Sequence, residues 1–220
     1  MPIARIGSKL VYFAHVPKCA GSAVERYLEQ RFGPLAFRDP AFYEQEHGER
    51  WTNSSPQHIP IKALTRLFPA SFFDVSFAVI RHPVDRLASA FLYQREIEET
   101  IASDTSLEDW LEYMPTRRQE TPFAFDNHTR PMSDFIPEDS LLFRLEDGLN
   151  PVVAWLDDFV GMAEGPREIL PFNVLNTRLA NEARPPVALK VDQSARDLIA
   201  TLYHEDFERF GYDPSAETHY

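Results

Sequence analysis

The 220-residue chain carries 34 acidic and 22 basic side chains, a net charge of -12 that excludes a nucleic-acid binder steered by a basic surface. Its hydrophobic content of 44% excludes wholesale disorder, and its one cysteine, Cys19, excludes an internal disulfide framework and a four-cysteine zinc site. Any anionic ligand must therefore be held by a local cluster of donors.

The first apolar stretch, residues 10–16, is too short to span a membrane and lacks the pattern of a cleaved signal peptide. We therefore expect a cytoplasmic protein without a membrane span. No internal repeat or low-complexity linker interrupts the sequence, and its 18 prolines are scattered. The sequence predicts a single domain over residues 1–213, followed by a frayed tail at 214–220.

The first strand is predicted over residues 9–16, which are rich in valine and aromatic side chains. Pro17 and Gly21 interrupt this run. Ser22 and Glu25 then have the spacing of a capping box, and apolar residues recur at helical intervals after them. The pattern predicts a helix that begins immediately after Gly21.

A second unit of the same kind begins at residues 75–80, a β-rich run that ends at Arg81. Pro83 suits the first turn of a following helix. Two strand–loop–helix units favour a parallel sheet, because a crossover helix joins parallel neighbours. The sequence therefore predicts an α/β fold, a P-loop-like three-layer α/β/α domain with a central parallel sheet.

The remaining elements have weaker patterns, with an irregular region over residues 37–60 and a short helix at 62–68. Further helices are predicted near residues 107–114, 150–160 and 192–210, and a strand at 140–144.

The segment from His15 to Ser22 joins the first strand to the first helix and carries the clearest chemistry. A helix N-terminus presents backbone N–H groups and a positive dipole end, which together attract a phosphate. Gly21 permits close backbone approach, Lys18 adds a positive charge, and the Ser22 hydroxyl can donate a hydrogen bond or cap the helix. The segment predicts an anion site.

The usual nucleotide-triphosphate loop is absent, because Lys18 precedes Gly21 where the Gly-x4-Gly-Lys-[Ser/Thr] pattern requires the reverse order. The sequence also lacks an acidic motif after an apolar run that would predict a magnesium-binding site. These two observations count against a kinase or an ATPase, and we expect transfer chemistry without a metal.

The segment His15-Val-Pro-Lys-Cys-Ala-Gly-Ser-Ala23 resembles the first motif of the carbohydrate-type (heparan and chondroitin) sulfotransferases and their bacterial relatives, His-x-Pro-Lys-Thr-Gly-Gly-Thr-Ser. In that family the loop surrounds the 5′-phosphosulfate of the donor 3′-phosphoadenosine 5′-phosphosulfate (PAPS), and the lysine lies near the bridging oxygen. The resemblance implies this role for Lys18. It implies donor contacts from the whole segment: Pro17, Lys18, Cys19, Ala20, Gly21, Ser22 and Ala23.

The segment from Phe77 to Phe91, which contains Arg-His-Pro-Val-Asp-Arg-Leu-Ala-Ser, is similar to the 3′-phosphate motif of the same family. The resemblance implies that Arg81 and Ser89 bind the 3′-phosphate. Arg86, in the same segment, could instead be a structural ion-pair partner. Two anion sites on successive strand–helix units suit a nucleotide with phosphate at both ends.

Weaker similarities to the family assign the remaining site residues. The Gln57-His-Ile-Pro60 segment resembles a family segment whose histidine serves as the general base in several members, which implies that role for His58. His128 and Glu46 remain alternatives. The Asp126-Asn-His-Thr-Arg130 segment implies acceptor contacts from Asn127 and Arg130, although an ordinary salt bridge would equally explain Arg130.

The expected function is sulfuryl transfer from PAPS to an acceptor hydroxyl on a carbohydrate or a small molecule. The acidic composition favours a small neutral or cationic acceptor over a long polyanion. A phosphotransferase using the same loops and a non-catalytic nucleotide-binding protein remain alternatives. The sequence leaves the oligomeric state open.

Overall fold

The computed structural model describes residues 2–46 and 48–218, which form two compact units. The first unit contains the chain up to Ile80 together with Asp134–Phe172. The second contains Arg81–Ser133 and the chain from Asn173 onward. Each unit is therefore assembled from two separate segments of sequence, and a single domain over 1–213 stays a prediction.

The first unit is built on a four-stranded sheet. Its strands lie in the order β1 (Ile3–Ile6), β2 (Lys9–Ala14), β3 (Val75–Ile80) and β4 (Leu141–Arg144). The β2, β3 and β4 strands are parallel, and β1 is antiparallel to β2. The predicted α/β class is confirmed, with a mixed sheet because β1, which the sequence analysis missed, adds a hairpin to the parallel core. The layering predicted around the sheet stays a prediction.

Helices follow the strands along the chain, with short 3₁₀ turns in the loops. They are α1 (Gly21–Phe32), α2 (Ile61–Leu67), α3 (Pro83–Glu96), α4 (Leu107–Glu120), α5 (Asn150–Val160), α6 (Leu175–Asn181), α7 (Gln193–Leu202) and α8 (His204–Phe210). Among the described residues, none of these helices combines the length and the apolar content needed to cross a membrane.

Aromatic side chains fill the core of the first unit. Phe13 of β2 stacks on Phe77 of β3 with their ring centroids 4.9 Å apart, and Trp155 of α5 lies 5.0 Å from Phe77. The inner ends of both strands are buried, as expected for central strands of a parallel sheet. This packing fixes the carboxyl ends of β2 and β3, from which the two candidate phosphate-binding segments continue.

The second unit is helical and contains α3, α4, α6, α7 and α8. Helix α7 packs against α3 and α4, and the rings of Phe91 and Trp110 lie 5.5 Å apart between α3 and α4. The guanidinium of Arg86 is fully buried in this unit and donates hydrogen bonds to the carbonyl oxygens of His128 and Arg130. Arg86 is thus a structural residue of the helical core.

The chain end departs in part from the expected elements. Two helices, α7 and α8, replace the single helix predicted over 192–210. Of the tail predicted to fray, residues 219 and 220 lie outside the described residues. Arg196 donates hydrogen bonds to the carbonyl of Ala216 and the hydroxyl of Thr218, so the part of the tail that is described contacts α7.

Candidate active site

The loop between β2 and α1 has an unusual backbone. Lys18 and Ala20 have left-handed φ angles of 67° and 60°, whereas Cys19 between them does not. Successive residues of alternating hand turn their N–H groups toward one side, which forms an anion-binding concavity known as a nest. The loop at the start of α1 therefore has the backbone geometry that a phosphate or sulfate group requires.

Free amides at the start of α1 add to this concavity. The N–H groups of Ala23 and Val24 bond to the carbonyl of Ala20, which begins the helical pattern. Gly21 and Ser22 precede them, and the first N–H groups of a helix have no intrahelical acceptor. These amides and the positive end of the helix dipole favour an anion at this point.

The predicted capping box is wrong. Helix α1 begins at Gly21, as expected to within one residue, but its N-cap is Ala20 and no side chain caps it. The Ser22 side chain is half-buried within the first turn, and Glu25 bonds instead to His15 and Arg38. A buried partner for the carboxylate outweighs a local cap, so the spacing of Ser22 and Glu25 misled the sequence analysis.

Replacement of Ala20 by glycine should stabilise the protein. A left-handed alanine costs about 1–2 kcal/mol, and the added freedom of the unfolded glycine offsets part of the gain, so we expect about 0.5–1 kcal/mol in unfolding free energy. Urea titrations of Ala20→Gly measure it. The control is Ala23→Gly inside α1, which should lose about 1 kcal/mol. A loss at both positions would contradict the role assigned to the left-handed backbone.

His15 is the structural centre of this site. It is buried, its Nδ1 hydrogen bonds with Glu25 Oε1, and its ring meets the ring of His58 edge-on with centroids 4.7 Å apart. A Cβ atom placed on Gly21 would lie 2.0 Å from Nε2 of His15. The glycine is therefore needed at this position because the imidazole packs directly against its backbone.

The Glu25 carboxylate is held in its ionised form. Burial opposes ionisation, but the interaction and hydrogen bond with His15 outweigh it and lower the pKa of Glu25 to about 2. Burial also lowers the pKa of His15, and the attraction of Glu25 only partly compensates. At neutral pH the neutral imidazole donates its Nδ1–H to the carboxylate. The sequence analysis missed this pair, since the ten-residue gap between its members spans a loop.

The other predicted residues of this loop are mostly buried. Pro17, Cys19 and Ala23 are buried, and Lys18 is half-buried at the left-handed turn. Cys19 is only 1% exposed, so its thiol does not reach the loop surface, and its N–H donates to the carbonyl of Val16.

His58 also lies in the first unit and is buried. It ends the 3₁₀ turn Pro56–His58, where Nδ1 lies 3.1 Å from the hydroxyl of Ser55. The hydroxyl and the edge contact with His15 both orient the ring. The fold thus brings His15 and His58 together from segments more than 40 residues apart in the sequence.

The second predicted segment opens the helical unit. Arg81 is the residue after the end of β3, and His82 is the N-cap of α3, where its Nδ1 accepts a hydrogen bond from the N–H of Val84. His82 Nε2–H donates to the carbonyl of Asp213, which fixes the tautomer that the cap requires. Ser89 is 9% exposed on α3. The start of α3 is therefore rigid and carries Arg81 at its entry.

The predicted acceptor residues lie in a strained turn of the helical unit. Phe125, Asp126 and Asn127 have consecutive left-handed φ angles of 54°, 50° and 64°. Arg130 donates from Nε to the Asn127 side-chain oxygen at 2.8 Å and from Nη2 to the carbonyl of Pro122. Strained non-glycine backbone of this kind clusters at functional sites. These two hydrogen bonds hold Arg130 within the turn.

The two alternative bases have different environments. Glu46 is exposed in the irregular loop of the first unit. His128 is buried in the helical unit, where its Nδ1 lies 3.2 Å from the side-chain amide of Gln94 and its ring contacts Tyr93.

Comparison with known proteins shows the family to which the chain belongs. A family model described as "Sulfotransferase family" matches residues 5–213 of the chain. The chain belongs to the sulfotransferase family. The match includes every candidate site residue described above, and it identifies this member as a transferase.

A search of curated proteins finds none that matches this member of the sulfotransferase family. Among solved structures, it is similar to the crystal structure of a sulfotransferase from Alicyclobacillus acidocaldarius, with 14% sequence identity and a TM-score of 0.47. The alignment covers 94% of this chain and 96% of that chain.

Proposed function

We propose that the protein transfers the sulfuryl group of PAPS to a hydroxyl group of a small-molecule or carbohydrate acceptor, without a metal. The observation that carries the proposal is the nest at the start of α1, which combines left-handed Lys18 and Ala20 with free helical amides in a member of the sulfotransferase family. A cytoplasmic location remains part of the proposal.

The residues of the first segment would hold the 5′-phosphosulfate. The backbone N–H groups of Ala20, Gly21 and Ser22 and the Ser22 hydroxyl would bind its oxygens, with Pro17, Cys19 and Ala23 shaping the loop. Lys18 would stabilise the negative charge that develops on the bridging oxygen as the bond to sulfur breaks. Residues positioned in this way need no reorganisation during the reaction.

The second segment would distinguish a nucleotide with a 3′-phosphate. A guanidinium binds phosphate through two parallel hydrogen bonds, so Arg81 would supply most of the binding energy of the 3′-phosphate. The Ser89 hydroxyl would complete the contacts with this group. Asn127 and Arg130, in the strained turn, would contact the acceptor.

His58 would take the proton of the acceptor hydroxyl. The tautomer in which Nδ1–H donates to Ser55 makes Nε2 the basic nitrogen. An imidazole titrates close enough to neutrality for this task, and general-base catalysis contributes about 10²–10⁴-fold in rate. Attack of the acceptor oxygen on sulfur, opposite the leaving phosphate, would complete the transfer.

The nucleotide assignment is tested with PAP, the desulfated nucleotide, and AMP, which lacks the 3′-phosphate. PAP should raise Tm more than AMP does, by mass action, whereas ATP with magnesium should raise it little. Arg81→Ala should weaken PAP binding by about tenfold to a hundredfold, since a charged hydrogen bond is worth about 1.5–3 kcal/mol. AMP affinity should not change.

Titration calorimetry of the wild type, Arg81→Ala and the exposed control Arg66→Ala measures these affinities. Equal losses for PAP and AMP in Arg81→Ala would contradict the 3′-phosphate role. A larger response of the wild type to ATP with magnesium than to PAP would overturn the PAPS assignment.

A further inference from the structure

A buried polar cluster in the first unit joins the proposed base to two side chains that have no role in the chemistry so far. It consists of Glu25 on α1, His15 after β2, and His58 in the loop before α2. All three side chains are buried, with 3%, 6% and 7% exposure. Burying polar groups is costly unless they are satisfied, so a cluster at this position calls for an explanation.

The His15 ring is fixed on several sides. Glu25 accepts the hydrogen bond from Nδ1, the Gly21 backbone lies against the opposite part of the ring, and Phe13 stacks on it with centroids 5.7 Å apart. The ring has little freedom to rotate under these contacts. His58 meets this fixed ring at an interplanar angle of 89°.

Other charged groups surround the Glu25 carboxylate. Arg38 donates from Nε to Glu25 Oε2 at 3.2 Å and from Nη1 to Glu29 at 2.9 Å. Glu25 thus lies between an imidazole and a partly exposed guanidinium, whereas Glu29 pairs with the same guanidinium at the surface. The buried carboxylate is the charge nearest to the two histidines among these groups.

We propose that Glu25 and His15 are a positioning pair for the general base, acting on sulfuryl transfer only through His58. This inference rests on the proposed function, in which His58 takes the acceptor proton. The pair would hold the His58 ring in one orientation through the edge contact. The Glu25 carboxylate would also favour the imidazolium that His58 becomes on taking the proton, because opposite charges attract strongly in a buried site.

A double-mutant cycle separates this role from a general structural one. Glu25→Gln keeps the shape and a hydrogen-bond acceptor but removes the charge, and His15→Asn keeps a donor near Nδ1 but removes the ring. Each is combined with His58→Ala. The kcat for transfer from PAPS and the Kd of PAP are measured for all six proteins: wild type, three single variants and two double variants.

In protein that retains His58, Glu25→Gln and His15→Asn should each lower kcat by about tenfold to a hundredfold. This is the range for groups that orient a functional side chain. In the His58→Ala background the same replacement should cause no further loss, because residues acting through one group are non-additive. Glu25→Gln should leave the Kd of PAP unchanged. The control Glu29→Gln removes the neighbouring carboxylate from the same arginine and should keep wild-type kcat.

The outcomes distinguish the inference from the function on which it rests. Equal losses in both backgrounds, or a PAP affinity that falls together with kcat, would overturn the positioning role alone. Full activity in His58→Ala would overturn both the positioning role and the base, and leave the transferase standing. No transfer by the wild type would overturn the proposed function as well. Thermal melts identify a variant that does not fold. If Glu25→Gln or His15→Asn misfolds, the kcat values of the other variant test the positioning role.

Discussion

Lys18→Ala should lower kcat for sulfuryl transfer about 10²–10³-fold. Removing one pre-organised donor to a developing negative charge costs about 2.7–4 kcal/mol of transition-state stabilisation. Lys18 stands at a left-handed turn between β2 and α1, so its position is set by the backbone and not by a flexible loop. The charge on the leaving phosphate exists mainly in the transition state, and donor affinity should therefore change less than kcat.

Single-turnover assays with labelled PAPS measure the chemical step directly, and calorimetry with PAP measures the affinity. Lys18→Arg should recover part of the rate, because the charge remains while its geometry changes. Lys62→Ala, which removes an exposed lysine from α2, is the matched control and should keep the wild-type rate. An unchanged single-turnover rate in Lys18→Ala would contradict the proposal that Lys18 stabilises the charge on the leaving phosphate.

Elements with strong local patterns could be predicted from the sequence alone. Strand β3 and helix α5 have the predicted bounds, and α3 begins at Pro83 as expected. In each case a run of β-formers or an N-terminal proline marks the boundary, and no distant contact is needed to place it.

Tertiary contacts decided the elements that were predicted less well. Helix α4 continues past Pro115 to Glu120, although a proline inside a helix removes one backbone hydrogen bond. Trp110 and Met114, on the same helix, are buried and hold it in place. The break between α7 and α8 falls at Tyr203, whose hydroxyl donates to the carbonyl of Thr129, a contact that no local pattern reveals.

The candidate site shows the same division. The position of the loop before α1 follows from Gly21 and Lys18, which are visible in the sequence, and α1 begins there. The left-handed Ala20 and the hydrogen bond between His15 and Glu25 depend on the folded conformation of the loop, which no local sequence pattern reveals. Because a carboxylate three residues after a serine usually signals a cap, local spacing gave Glu25 the wrong partner.

Arg86→Ala should lower the unfolding free energy by about 3–5 kcal/mol, the loss typical of breaking a buried charge pair. The guanidinium donates to two carbonyl oxygens and lies 3.9 Å from the carboxylate of Asp206, and both side chains are fully buried. Asp206 in turn accepts hydrogen bonds from the N–H groups of Met132 and Ser133. Removing Arg86 would leave the two carbonyls and the carboxylate without their cation.

Urea unfolding of Arg86→Ala measures this loss. The exposed Arg167, which pairs with Asp157, provides the contrast, because solvent screens an exposed ion pair and Arg167→Ala should lose far less stability than Arg86→Ala. Asp206→Asn keeps an acceptor for only one of the two backbone N–H groups and removes the charge beside Arg86, so it should also lower the unfolding free energy. An Arg86→Ala protein as stable as Arg167→Ala would mean that the helical core does not depend on the buried guanidinium.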